Sequence, residues 1–289
     1  MKKFLLPLAV AMVGSSSITL QAQSNDTYHR FSQVITPTDF DNYYFVVSYF
    51  NDKSSYNLRG FTIMDLLDPI TSIEIAPSGY AMSAVTTDKK GENKMYVYGM
   101  TEADKQLYRS DRQTKSISAL CYSKDAKTIY YSDPAGNISV LDVQDYEVVS
   151  TLKSEISNPS ALTSSYDGYY LAATSQDKKS VNIINVESSA IRKAFSFGAE
   201  VSGLDFSHDG SQLAIATSDG VINIYDTRTF LSIKEITDMG EAKSCRFHPD
   251  GKYLAVIYSP ERIDVVNLLD DSERLEYFTN ATTLNKFNC

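Results

Sequence analysis

Tryptophan is absent from the chain, and cysteine and histidine occur only three times each in 289 residues. Cys121, Cys245 and Cys289 are too few for a disulfide framework, and His29, His208 and His248 leave little material for a metal site. A basic excess is also lacking. Lysine and arginine number 27 against 36 acidic residues, a formal charge of −9, and no stretch concentrates the basic ones. Nucleic acid is therefore not a predicted partner, because phosphates demand a basic face. Gly-rich phosphate loops, an H-E-x-x-H helix, a G-x-S-x-G elbow and a C-x-x-C pair are all missing, so no catalytic residue, cofactor or metal is predicted. What is there, 43% hydrophobic and 22% charged residues, is the composition of a globular protein with a large core.

Long hydrophobic runs are missing as well. The apolar run Phe4 to Val13 is about ten residues where a spanning helix needs about 20. It follows Lys2 and Lys3 and precedes the polar stretch Gly14 to Ser17 and a Leu20-Gln21-Ala22 ending, the order of a secretory signal peptide. Residues 1–22 are read as an export signal and 23–289 as a single domain without a membrane span, periplasmic or extracellular. Cleavage after Ala22 removes two lysines and no acid, which takes the formal charge from −9 to −11. No cysteine lies near the cleavage point to carry a lipid anchor.

The dominant feature is self-similarity. The segment from Val201 reads V-S-G-L-D-F-S-H-D-G, S-Q-L-A-I-A-T-S-D-G, V-I-N-I-Y-D. Taking Gly210 as an anchor, equivalent positions are Gly79, Ala126, Gly168 and Gly251, at successive spacings of 47, 42, 42 and 41. A second alternating segment keeps the same register: Met95 to Gly99, Ile138 to Asp142, Val181 to Asn185, Ile222 to Asp226 and Ile263 to Asn267. Each unit holds four short alternating stretches separated by turn residues, the period of strands and not of helices. Core positions fall six and four before the anchor: Ile73 and Ile75, Leu120 and Tyr122, Leu162 and Ser164, Leu204 and Phe206, Cys245 and Phe247. Position seven before it is always small: Ser72, Ala119, Ala161, Gly203, Ser244. Small residues there are expected if the first strands crowd around a central axis. Radial repetition of four-stranded sheets is a β-propeller, all-β in class.

The units resemble WD repeats and the related bacterial propeller repeats, most closely in S-H-D-G-S-Q-L-A-I-A-T-S-D-G-V-I-N-I-Y-D and F-H-P-D-G-K-Y-L-A-V. The resemblance covers five units, from about Ile70 to Phe278, beginning near Ile70, Ile117, Pro159, Val201 and Ala242. It is divergent: the closing Trp-Asp pair stands here as Tyr225-Asp226, Leu141-Asp142, Ile184-Asn185 or Val266-Asn267, and the opening Gly-His pair is missing.

An open ring would leave unpaired strand edges. Ala281 to Phe287 has the pattern of a first strand. Phe31 to Thr36, Tyr43 to Phe50 and Phe61 to Leu66 are three strand-like runs ahead of the first complete unit. The C-terminal strand joined to the N-terminal three makes a sixth four-stranded blade and locks the ring. The alternatives are frayed flanks, a seven-bladed ring or a piece of a longer propeller.

Candidate binding residues gather at two places. The rim where first strands begin carries Ser118, Ser160, Ser202 and Lys243. The loops between second and third strands add Asp133, Asp177, Asp219, Glu261 and Arg262. Such a mixed rim suits protein recognition, and solvated loops look the same. These loops vary, up to the Thr87 to Asn93 insertion, whereas the turns His208-Asp209-Gly210 and Pro249-Asp250-Gly251 are alike. Nearest the axis, five before the anchor, lie Glu74, Asp205 and Arg246. Asp125, Asp167, Asp209 and Asp250 recur one before the anchor, where Asp before Gly is turn chemistry, and His208 and His248 share those turns. Cys121 and Cys245 are expected to be buried, unpaired thiols. Cys289, at the terminus, is a candidate for intermolecular pairing or a plain tail residue. Tyr169, Tyr170, Tyr225 and Tyr253 are read as strand packing.

The functional reading is an exported, non-enzymatic scaffold, a monomeric disc presenting its rim to a protein or cell-envelope component. The alternative is a propeller enzyme such as a metal-dependent lactonase, with Glu74 and Asp205 its first candidates. Arg246 and Lys243 nearby argue against a cation there.

Overall fold

Alternating apolar segments punctuated by Asp, Gly, Ser and Asn leave the backbone little choice but short antiparallel strands. The computed structural model describes residues 29–35, 43–50, 58–66, 70–77, 81–99, 106–109, 116–237, 240–259, 262–270 and 274–278. Among them there are strands and no helix. Strands β1 (His29–Ile35), β2 (Tyr43–Phe50) and β3 (Leu58–Leu66) form a three-stranded antiparallel sheet. Five four-stranded sheets follow. Blade one holds β4 (Ile70–Ile75), β5 (Ala81–Thr87), β6 (Asn93–Gly99) and β7 (Gln106–Arg109). Blade two holds β8 (Ala119–Tyr122), β9 (Thr128–Ser132), β10 (Asn137–Asp142) and β11 (Val148–Lys153). Blade three holds β12 (Ala161–Ser164), β13 (Tyr170–Thr174), β14 (Ser180–Asn185) and β15 (Ile191–Ser196). Blade four holds β16 (Val201–Phe206), β17 (Gln212–Thr217), β18 (Ile222–Asp226) and β19 (Ser232–Ile236). Blade five holds β20 (Ser244–Phe247), β21 (Tyr253–Ser259), β22 (Arg262–Asn267) and β23 (Arg274–Phe278).

Within every blade the strands pair in chain order, and first strands of consecutive blades lie side by side, β4 by β8, then β12, β16 and β20. That is the arrangement of a β-propeller. The anchor repeats in backbone as well as in sequence. Gly168, Gly210 and Gly251 have φ of +75°, +70° and +69°, and Ala126 takes the same left-handed conformation at +61°. A one-residue slip between third and fourth strands also recurs, at Val97/Tyr98, Val140/Leu141, Ile183/Ile184 and Ile224/Tyr225.

Because each blade packs on two neighbours, the core is a series of layers between blades. Val85 and Met95 of blade one meet Leu120 and Ile129 of blade two. Ile138 and Leu152 meet Leu171 and Ile184 of blade three. Ile183 and Phe195 meet Phe206 and Leu213 of blade four, and Ala214 and Ile224 meet Cys245 and Leu254 of blade five. Second strands are therefore covered on both faces, which is why Leu213 to Ala216 and Leu254 to Ile257 are continuous apolar runs, buried throughout.

The crowding read from the small position seven before the anchor is real. A Cβ on Gly203 would stand 2.6 Å from the Cys245 backbone nitrogen, in the next blade. Of the core positions, Leu120, Tyr122, Leu162, Ser164, Phe206, Cys245 and Phe247 are buried, and Leu204 is half-buried. The side chains of Ile73 and Ile75 lie outside the described residues. Tyr169 corrects the reading of tyrosines as strand packing: it sits in the turn before β13 and is 58% exposed. Residues 1–22 and the segment Ala281 to Phe287 also lie outside the described residues.

Candidate functional site

The turns between first and second strands are built by the recurring aspartates. The Ser207 hydroxyl donates to Asp209 at 2.6 Å and the Ser211 N–H at 3.0 Å. Ser123 and Asp125 repeat the pattern, as do Ser165 and Asp167. In blade five the partner is a histidine, with His248 Nδ1 2.9 Å from Asp250. These hydrogen bonds hold the Asp209 carboxyl below its usual range, the Ser207 hydroxyl contributing most.

The same device accounts for three of the rim acids. Asp177 accepts from the Ser175 hydroxyl and the Lys179 N–H. Asp219 accepts from Thr217 Oγ1 at 2.6 Å. Asp133 accepts from the backbone and side-chain nitrogens of Asn137, both at 2.9 Å. Each carboxylate orders its own loop. At the strand starts, Ser118, Ser160 and Lys243 donate backbone N–H groups to Ser132, Thr174 and Ile257 across the blade. Ser202 turns its hydroxyl to the Ala216 carbonyl at 3.4 Å. The Lys243 ammonium, half-exposed, meets Glu241 at 2.7 Å. Glu261 lies outside the described residues.

Arg262 is less a rim residue than part of an ion network inside blade five. Its Nε and Nη2 donate to Asp264 at 2.9 Å each, and Nη2 also donates to Glu276 at 2.6 Å. Asp264 is fully buried and also binds Arg274, while both guanidinium groups lie over the Tyr258 ring.

A recess of about 200 Å³ opens on the rim between blades one and two, lined by Ser72, Val85, Thr87, Asn93, Ser118 and Leu120. Asn93 sets its wall by donating to the Ile117 carbonyl at 2.7 Å and accepting from Thr87 at 2.9 Å. It adjoins the inserted loop singled out in the sequence.

The axis carries the second cluster. Arg246 Nη1 donates to Asp205 Oδ1 at 2.7 Å, and the Phe247 N–H to Oδ2 at 2.9 Å. Sequence reasoning grouped these two residues and missed a third. Lys124, two before the Ala126 anchor, brings its ammonium to 3.9 Å from Asp205 Oδ1. Blade two and blade four are not neighbours, so this approach crosses the interior of the ring. Lys124 also lies 4.7 Å above the Tyr166 ring, which in turn packs against His208 at 4.4 Å. Lys124, Tyr166 and His208 each stand two before their anchors, and that shared offset was the available signal. Burial pushes the Lys124 ammonium below its usual range, against the pull of Asp205. Glu74 is half-buried on the same ring of positions. Cys121 and Cys245 are buried free thiols, and burial pushes Cys245 up to about 12, where it is inert. Among the described residues no three His, Cys, Asp or Glu side chains come together to hold a metal, and no helix is long and apolar enough to cross a membrane.

A family model for the WD domain, G-beta repeat, matches residues 192–226, from the outer strand of blade three through the third strand of blade four. The chain is WD-repeat-like. The WD unit of sequence thus straddles two blades and ties each to the next. Among curated proteins, the chain is 28% identical over 134 residues to the anaphase-promoting complex subunit cdc20 of Dictyostelium discoideum, covering 46% of this chain and 26% of that one. It is 27% identical over 137 residues to an uncharacterized WD repeat-containing protein of Synechocystis, covering 47% and 39%. It is 28% identical over 142 residues to autophagy-related protein 18 of Dictyostelium discoideum, covering 46% and 37%. The matches thus span less than two-fifths of each of these relatives.

Proposed function

We propose that this WD-like propeller is an exported, non-enzymatic scaffold whose rim, where the innermost strands begin, binds a protein or cell-envelope component. The observation that carries the reading is the recess between blades one and two, because it joins strand-start Ser118 to the one long loop, Thr87 to Asn93. Loops ordered by their own aspartates are preorganised, which lowers the entropic cost of association. The enzymatic alternative is weaker on one point: both oxygens of Asp205 are already committed to Arg246 and Phe247, and an Arg beside it opposes a cation. Export rests on the order of residues 1–22. N-terminal sequencing of protein from the native host tests it, and recovery of the full chain from the cytoplasm overturns it.

The ring closes, on this reading, by Ala281 to Phe287 entering beside β1. In every four-stranded blade the first strand in sequence is innermost. The sheet β1-β2-β3 leads into β4 as β7 leads into β8, so the position open in it is the innermost one. Deleting residues 281–289 should lower the unfolding temperature of the whole domain, and an unchanged transition overturns closure.

Binding is tested by capture from the native envelope fraction with wild-type protein, Lys243→Glu and Lys127→Glu. Lys243 is on the rim and Lys127 on the opposite face. Loss of the captured component with Lys243→Glu alone supports the reading, and equal effects overturn it. Arg262 is unsuitable for reversal, since it would abandon the buried Asp264.

A further inference from the structure

The axial cluster has one more positive charge than negative in direct contact. Arg246 and Lys124 share Asp205, and Arg246 takes the hydrogen bond. Lys124 is left at 3.9 Å, too far for one, and among the described residues its ammonium donates no hydrogen bond. Its side chain is only 14% exposed, so water does little to satisfy three donors. Glu74 exerts the smallest of the charge effects on it. The Tyr166 ring beneath and His208 beside it wall the ammonium on the turn face of the disc, opposite the rim.

We propose that Lys124, at the axis on the turn face, is the binding site for a single carboxylate. A carboxylate supplies the missing acceptors and one negative charge, matching the single excess cation, where a phosphate dianion would overcompensate it. In a chain of net charge −9 this spot is a local exception, so an anion is drawn there and repelled elsewhere. The carboxylate is either an acidic side chain of a partner or a free small acid. The burial that depresses the Lys124 ammonium is relieved by such a counter-ion.

The test is fluorescence anisotropy of fluorescein-labelled hexaglutamate with the full chain at fixed ionic strength. Saturable binding is expected, weakened about tenfold or more by Lys124→Gln, the value of one charged hydrogen bond. Lys124→Arg should keep it within a few-fold, which separates charge from fold, and Lys127→Gln in the same turn should not change it. Displacement by N-acetylglutamate shows that a free carboxylate suffices, and displacement by unlabelled hexaglutamate alone assigns the site to an acidic peptide. Either supports the proposal. No binding, or equal binding by wild type and Lys124→Gln, overturns it. Because Lys243 is on the other face, loss of rim capture leaves this result standing.

Discussion

Arg246 of blade five donates a 2.7 Å hydrogen bond to Asp205 of blade four, and that carboxylate is only 3% exposed. Its second oxygen takes the Phe247 N–H, so one side chain joins two innermost strands. Asp205→Ala would leave Arg246 and Lys124 facing each other without a counter-charge. A loss of about 3–5 kcal/mol is expected, read as a fall in the urea midpoint.

Gly203 illustrates the second constraint at the axis. Gly203→Ala places a methyl 2.6 Å from backbone that has no flexible end to move. A cost of about 3 kcal/mol follows from overpacking. Gly251→Ala meets nothing within 4 Å, and its φ of +69° alone should cost about 1 kcal/mol. Comparing the two unfolding free energies separates crowding from backbone strain.

Ala126 occupies the anchor position with φ of +61°, where three other blades use glycine. Ala126→Gly should therefore stabilise the protein, by about 0.5–1 kcal/mol, as the strain of the left-handed conformation is released. Thermal unfolding measures it, and an unchanged or lowered midpoint contradicts the account.

Acid should weaken the fold through its turns. Asp209 is held low chiefly by the Ser207 hydroxyl, and Asp177 by the Ser175 hydroxyl. A folded-state value below the unfolded one, about 3.9, means stabilisation present above that pH and lost as pH falls through the folded value. Urea midpoints should drop below about pH 4. The double variant Asp177→Asn with Asp209→Asn should show a shallower drop there and an unchanged profile between about pH 5 and 8. The two sites lie in different blades, so their effects should add.

The repeat was legible because it is local. Strand, turn and strand recur at nearly constant spacing, and β16 to β19 fall within a residue or two of the alternating runs from which they were read. The aspartate turns were legible for the same reason, since donor and acceptor are two to five residues apart. Exposure misled only where an alternating tyrosine, Tyr169, falls just outside its strand.

What the residues alone determined is the period, the strand chemistry, the turn built by each Asp, and the need for something small near the axis. Tertiary structure decided the rest. It spent Arg262 on Asp264 inside blade five, opened the recess between blades one and two, and carried Lys124 across the ring to Asp205. Lys124 and Asp205 are 81 positions apart in blades that do not touch as neighbours. No period or local motif encodes that meeting, because it depends on how far each successive blade turns about the axis, and that rotation is set by packing between sheets.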